Sequence, residues 1–212
     1  DLKYKNIFKS VKLKVEDSDD SFKKNIIISV EEKPTGEISA GAGAGTSGTQ
    51  ISFGIAEKNY GGTGVRLDTN FLISDTTVRG KFSVDNPNFK NSDRSLRTTL
   101  ESTSTDQMKN FGYENTRTGL SFGTTYEQYR DIYFSPSFSN YFESLKTSSK
   151  ASASKKKQEG NYFDSEFSYG LSLNKLNQRF QPTDGYKSTF YQTIPLVSDD
   201  YALDTAYEYS KF

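Results

Sequence analysis

The side chains that could do acid–base chemistry here are carboxylates, amines and guanidinium groups, because the 212 residues include neither His nor Cys. Ser-His-Asp triads, thiolate–imidazole pairs, thiol-ligated zinc sites and haem ligation through His or Cys are therefore excluded. Charged residues recur at alternate positions in several segments, namely Arg66, Asp68, Arg79, Lys81, Arg97, Glu101, Asp164 and Glu166. Carboxylates in this set could form an acid–base site if the pKa of one were raised.

A second interpretation of these charges is a polar, water-filled lumen with mixed signs, and we adopt it. It involves no catalytic residue, no metal and no cofactor, so we expect a protein that is not an enzyme. The 27 basic and 27 acidic residues give no net charge. Because a nucleic-acid binder normally has a basic face, no nucleic acid is expected as a partner.

The charges belong to segments in which apolar and polar residues alternate. Such alternation predicts β-strands with one apolar and one polar face. About ten strands follow one another, with no helix between them, at 37–45, 49–57, 64–74, 76–86, 94–104, 114–127, 131–143, 161–175, 185–196 and 200–211. Most have nine or more residues, whereas strands of soluble proteins have about five or six and a tilted membrane-spanning strand needs about 9–11. The prediction is an all-β, antiparallel, up-and-down transmembrane β-barrel, present in part.

The composition agrees with this fold class. Only 33% of the residues are hydrophobic, which is low for a soluble core but suits a barrel that leaves half of each strand polar. There is no run of 18 apolar residues that would span a membrane as a helix.

Two segments interrupt the pattern. Residues 144–160 are rich in Ser, Lys and Ala without apolar periodicity, so we expect a flexible surface loop on the outer side. Pro136 lies within a predicted strand and indicates a bulge or local break.

The first 33 residues form a different unit. They contain a possible helix end at Leu2–Asn6 and two short strands at 11–16 and 24–32, followed by a Pro-Gly break at 33–36. Two strands and a helix end cannot bury a core alone. We therefore assign 1–33 to the end of one domain and 34–212 to the amino-terminal part of the barrel.

Several motifs, in order, resemble the BamA family of outer-membrane assembly factors. They are EEKPTG leading into a Gly-rich strand, NYGGTG from Asn59, NPNF from Asn86 and PTDG from Pro182. The resemblance covers nearly the whole chain. It implies that residues 1–33 are the last strands of a periplasmic POTRA domain and that 34–212 supply about ten of sixteen strands of a barrel in a Gram-negative outer membrane. The implied partners are unfolded outer-membrane proteins, outer-membrane lipid and the lipoproteins of an assembly complex.

The first predicted barrel strand consists largely of Gly and Ala, and its residues are Glu37, Ile38, Ser39, Ala40, Gly41, Ala42, Gly43, Ala44 and Gly45. Such residues add little cross-strand packing, and Gly costs extra entropy to order, so the strand should pair weakly. The residues alone also allow another interpretation, in which small side chains merely permit curvature or fill a narrow lumen. The family resemblance favours a lateral gate, at which an incoming strand pairs with this edge.

Two further functions stay open from the sequence. The barrel could be a passive pore or a secretion transporter of the same superfamily, in which the lumen is the pathway. The strands could also form a soluble β-sandwich that binds a partner, with the apolar faces packed in an ordinary core.

Overall fold

The computed structural model describes residues 7–18, 22–45, 48–178, 181–199 and 201–212. The predicted helix end at 2–6 lies outside these residues. Two antiparallel strands, β1 (Phe8–Asp17) and β2 (Lys24–Glu32), form a separate ribbon. Ten further strands form one antiparallel sheet in chain order: β3 (Gly36–Gly45), β4 (Gly48–Tyr60), β5 (Val65–Ser74), β6 (Thr77–Asn86), β7 (Ser95–Asp106), β8 (Tyr113–Tyr129), β9 (Ile132–Thr147), β10 (Gly160–Asn174), β11 (Tyr186–Val197) and β12 (Asp204–Lys211).

This order confirms the all-β, antiparallel, up-and-down fold with ten sheet strands. Every neighbour in the sheet is also a neighbour in sequence, so hairpins alone connect it. Because β3 and β12 pair with one neighbour each, the sheet is open, as expected for part of a barrel. No helix in the described ranges is long and apolar enough to cross a membrane.

The sheet has one polar and one apolar face. The polar face carries all eight predicted charges, because their register partners across neighbouring strands fall on the same side. The apolar face carries rows such as Phe53 opposite Phe71, Phe82 opposite Leu100, and Phe138 opposite both Phe122 and Phe167, together with Ile38 on β3.

Neither face is covered by a second layer. In the described part of the chain only Ile7, Leu145 and Ala151 are buried hydrophobic residues, whereas Ile38, Phe71, Phe122 and many others are exposed. Strands β3 to β12 all lie in one sheet, and the other sheet in the described ranges is the two-stranded ribbon β1–β2, so the predicted barrel strands do not pair off into a sandwich. A face of this size is unfavourable in water and suits contact with lipid.

Glycines at positive φ make the tight turn between β4 and β5. Gly61, Gly62 and Gly64 have φ of +59°, +74° and +74°, and the Asn59 side chain accepts a hydrogen bond from Gly64 N at 2.7 Å. These are the NYGGTG residues that the sequence marks as a turn.

The prediction that 144–160 is a flexible loop was wrong, as was the prediction of no helix between strands. Strand β9 continues to Thr147, and the loop contains a short helix, α1 (Ala153–Lys157), capped by the Ser152 side chain. Ala151 packs on the preceding β7–β8 turn, where Ser148 N donates to Gly112 O at 2.8 Å. Hydrogen bonds to the turn therefore compensate for the low hydrophobicity of the loop.

Pro136 interrupts the ladder between β8 and β9 without a register shift. Its pairing with Tyr169 on β10 is present, whereas Thr124 and Thr125 on β8 have no ladder partner on β9. The register is the same on both sides of this gap. The missing N–H therefore weakens β8–β9 pairing locally, and the expected break occurs without a bulge.

Candidate functional site

Strand β3 forms one edge of the ten-stranded sheet. Its residues pair in register with β4 from Gly36 opposite Glu57 to Gly45 opposite Gly48. The other edge of β3 has no partner strand within the described ranges. Each residue of β3 is exposed. An edge of this kind presents unpaired N–H and C=O groups to an added strand.

The side chains of β3 are too small to cover its neighbours. Ile38, Ala40, Ala42 and Ala44 alternate on the apolar face, and Ile38 is 73% exposed. On the polar face, a shallow cleft of about 520 Å³ lies over the carboxyl-terminal end of β3 and extends to Arg79. The cleft follows from side-chain size, since Gly43 and Gly45 leave that part of the face empty.

Side chains fasten β3 to β4 at its amino-terminal end only. Thr35 Oγ1, just before β3, donates to the Glu57 carboxylate, and Lys58 Nζ lies 3.2 Å from Glu37 Oε2. From Ile38 to Gly45, the described structure has no side-chain hydrogen bond to β4. That part of β3 depends on the backbone ladder, so its attachment is weaker than that of Glu37.

The eight predicted charges share the polar face but do not form one cluster. Arg97 Nη2 pairs with Asp85 Oδ2 at 2.7 Å, and the Asp85 side chain is only 18% exposed. Asp164 lies three strands away from Glu101 and accepts a hydrogen bond from Ser198 Oγ at 2.8 Å.

The geometry gives no support to a carboxylate-based acid–base site. The register partners of Asp68 are Ala56 and Ser83, and those of Glu101 are Lys81 and Gly119. Asp164 and Glu166 face Tyr141 and Ser139 on β9. None of these carboxylates is directly opposite another. The described residues contain no group of three or more His, Cys, Asp or Glu that could hold a metal.

Arg117 and Tyr141 on the polar face were missed by the sequence reasoning. The guanidinium carbon of Arg117 lies 4.0 Å from the centroid of the Tyr141 ring. The ring occupies the space above Gly119, where a Cβ atom would collide with it. The sequence pattern indicates Arg117, because this residue lies at a polar position of the alternating polar and apolar residues in β8.

Comparison with known proteins agrees with this fold. The Omp85 superfamily domain model matches residues 59–212, from the end of β4 onward. The structure is also similar to the crystal structure of BamA from Haemophilus ducreyi lacking POTRA domains 1–3, with a TM-score of 0.73 and 19% identity. That match covers 99% of this chain and 43% of the BamA chain, so the chain spans less than half of the solved protein. Since the family model covers most of the sequence, this chain belongs to the Omp85 superfamily.

Proposed function

We propose that this chain takes part in assembling and inserting β-barrel proteins into the bacterial outer membrane, with β3 as the lateral gate at which an incoming strand pairs. The observation that carries the proposal is the exposed edge of β3. Side chains connect this strand to β4 only at Thr35 and Glu37. Lipid cannot satisfy free N–H and C=O groups, whereas a substrate strand can. No bond chemistry is needed.

The ribbon β1–β2 is proposed to be the end of a periplasmic POTRA domain. Its register puts Leu13 opposite Ile28 and Val15 opposite Ile26 on one face, and all four side chains are more than a third exposed. An apolar face on a two-stranded ribbon needs another layer to cover it. The proposed partners are unfolded outer-membrane proteins, outer-membrane lipid and assembly lipoproteins.

The test is a crosslink at the β3 edge. The chain has no Cys, so Ser39→Cys or Ala42→Cys provides a unique thiol on β3. In outer membranes that contain the complete protein, we expect a disulfide with a cysteine in the terminal strand of an unfolded barrel substrate. Asn70→Cys on the interior strand β5 is the matched control, because both edges of β5 are paired. Equal crosslinking at Asn70 and Ser39, or none at β3, would contradict the gate.

A passive pore or secretion transporter is the second candidate, and the observation that favours it is the charged polar face. For a pore of this kind, we expect Arg66→Gln or Arg97→Gln to change the ion selectivity of single channels in planar bilayers. We also expect that the unmodified protein does not insert a reporter barrel into membranes. A purely passive pore would be excluded if the protein inserts barrels and if crosslinking β3 to a substrate blocks that insertion.

A further inference from the structure

A cleft on the polar face carries an excess of positive charge. It has a volume of about 360 Å³ and is lined by Arg79, Lys81, Glu101, Thr103, Arg117, Gly119 and Tyr141. Three cations and one carboxylate leave about two positive charges at the site. We propose that this cleft binds the dianionic form of a phosphate group.

The cations have carboxylates on neighbouring strands but form no close ion pair with them within the described ranges. Among the described residues, Arg79, Lys81 and Arg117 form no ion pair, in contrast to Arg97, which pairs with Asp85. Arg79 Nε donates to Thr103 Oγ1 at 3.3 Å, which leaves its terminal guanidinium nitrogens available. Guanidinium groups can donate two parallel hydrogen bonds to a phosphate.

The strand register brings together cations from two strands, β6 and β8, which flank β7. Arg79 on β6 faces Thr103 on β7, which in turn faces Arg117 on β8. Lys81 lies two residues from Arg79 on the same face and is opposite Glu101. The cations therefore surround the position of Thr103 and Glu101, which no single strand could achieve.

Tyr141 forms the wall of the cleft on the β9 side. Its ring occupies the space above Gly119 and stacks on Arg117 at 4.0 Å. The stacking fixes the direction of the guanidinium and separates the cleft from Asp164, which faces Tyr141 from β10. Glu143 on β9 faces Arg117 in register but does not line the cleft.

Charge and size select the ligand. A phosphate monoester has a charge of about −2 above its second pKa of about 6, which matches the excess of the lining groups. The cleft accommodates one such group and its near substituents. The phosphate could belong to a soluble ester or to a lipid headgroup, since the chemistry is the same.

Binding is tested on the full chain in neutral detergent micelles at low ionic strength by calorimetry with inorganic phosphate. Arg117→Gln and Lys81→Gln are each expected to weaken binding about threefold, the range for exposed charge pairs. Arg97→Gln removes the same charge from the same face but from outside the cleft, so it should leave the affinity unchanged. Equal losses for Arg97→Gln and Arg117→Gln would overturn the proposal.

The charge state of the ligand gives a second readout. Between pH 5.5 and 7.5 the dianion fraction of inorganic phosphate rises by roughly an order of magnitude or more, because its second pKa lies about one unit above that of a phosphate monoester, so the affinity should rise by a similar factor. Sulfate keeps its charge over this range and reports any titration of Glu101, Glu143 or Tyr141. A phosphate affinity that changes no more than the sulfate affinity would also overturn the proposal.

The same assay distinguishes the sources of the phosphate. The site is assigned to a lipid headgroup if dihexanoyl phosphatidic acid displaces inorganic phosphate and does so less well when one of the cations is replaced. Displacement by glycerol 3-phosphate alone assigns it to a soluble ester. Displacement by neither ligand would show that the cleft does not accept phosphate esters and would overturn the proposal.

Discussion

At the scale of single residues, Gly54 on β4 leaves room for the side chains that flank it on β3 and β5. A Cβ atom on Gly54 would lie 2.6 Å from Ser39 Oγ and 2.8 Å from Asn70 Oδ1, whereas one on Gly43 would be 3.6 Å from the nearest atom of Gln50. The polar side chains next to Gly54 thus occupy the space that its missing side chain leaves.

We expect Gly54→Ala to weaken β3 pairing by about 1 kcal/mol relative to Gly43→Ala, because the added methyl group must displace Ser39 or Asn70. Amide hydrogen exchange of residues 38–42 in micelles measures the effect, and exchange should be faster in Gly54→Ala alone. Similar exchange in both variants would show that the contacts at Gly54 do not hold β3.

Glu159 is the acidic residue that holds the loop between β9 and β10. Its carboxylate accepts from Thr147 Oγ1 at 2.8 Å and from Thr147 N at 3.2 Å. Two hydrogen bonds lower the pKa of Glu159 below the ordinary value of 4.5. The one from the Thr147 side chain has the larger effect, and the one from the Thr147 backbone N–H comes next. The ionised form is therefore the one that the folded loop favours.

A lowered pKa gives stability that is present above pH 4.5 and is lost as the pH falls through the folded-state pKa. We expect the loop to open progressively in acid below pH 4.5. In Glu159→Gln, the loop should be less stable at neutral pH and should not show this acid dependence. The rate of hydrogen exchange at the Thr147 amide measures both the acid dependence and the loss of stability in the variant. Glu114→Gln on β8 is the control, and the same loss in that variant would contradict the role of Glu159.

At the scale of elements, the turn before β8 and the loop before β10 stabilise one another. Gly112 has φ of +73°, and a Cβ there would lie 2.5 Å from Ala151 N and 2.8 Å from the carbonyl carbon of Lys150. Lys155 Nζ lies 5.0 Å from the centroid of the Tyr113 ring. The loop therefore docks on a backbone that only glycine allows.

We expect Gly112→Ala to undock this loop, since the substitution combines backbone strain with a collision against the loop backbone. Trypsin cleavage after Lys155, Lys156 or Lys157 should become about tenfold faster, as a strain of 1–3 kcal/mol implies. Gly61→Ala, at φ of +59° with nothing within 4 Å, carries similar strain in another turn. Equal cleavage of both variants would contradict docking through Gly112.

The strands were predictable at this scale, and the loop was not. The predicted strand 24–32 coincides with β2, and 37–45 differs from β3 by one residue. Strand existence follows from local alternation, which each segment carries in itself. The ordered loop depends on Gly112 and on the buried Ala151, two positions that lie far apart in sequence.

At the scale of the whole molecule, the two faces of the sheet should meet different solvents. The chain has no Trp, so a single substitution gives an unambiguous fluorescent probe. Phe71→Trp places it on the apolar face of β5, and Ser83→Trp places it on the polar face of β6, opposite Asp68.

In vesicles containing lipids brominated on their acyl chains, we expect fluorescence of Phe71→Trp to fall by roughly half or more and that of Ser83→Trp to change little. The expectation follows from the exposed apolar face, which has no protein layer over it. Unquenched fluorescence at Phe71, with the chain folded and vesicle-bound, would mean that the apolar face does not contact lipid.

The sequence by itself determined the strands, the two chemically distinct faces and the small-residue composition of the first sheet strand, because alternation and residue size are local properties. The tertiary structure decided which residues meet across strands. The grouping of Arg79, Lys81 and Arg117, the pairing of Arg97 with Asp85 and the ordered loop on Gly112 depend on register. Alternation assigns a residue to a face, but a shift of two residues preserves that face while changing every neighbour.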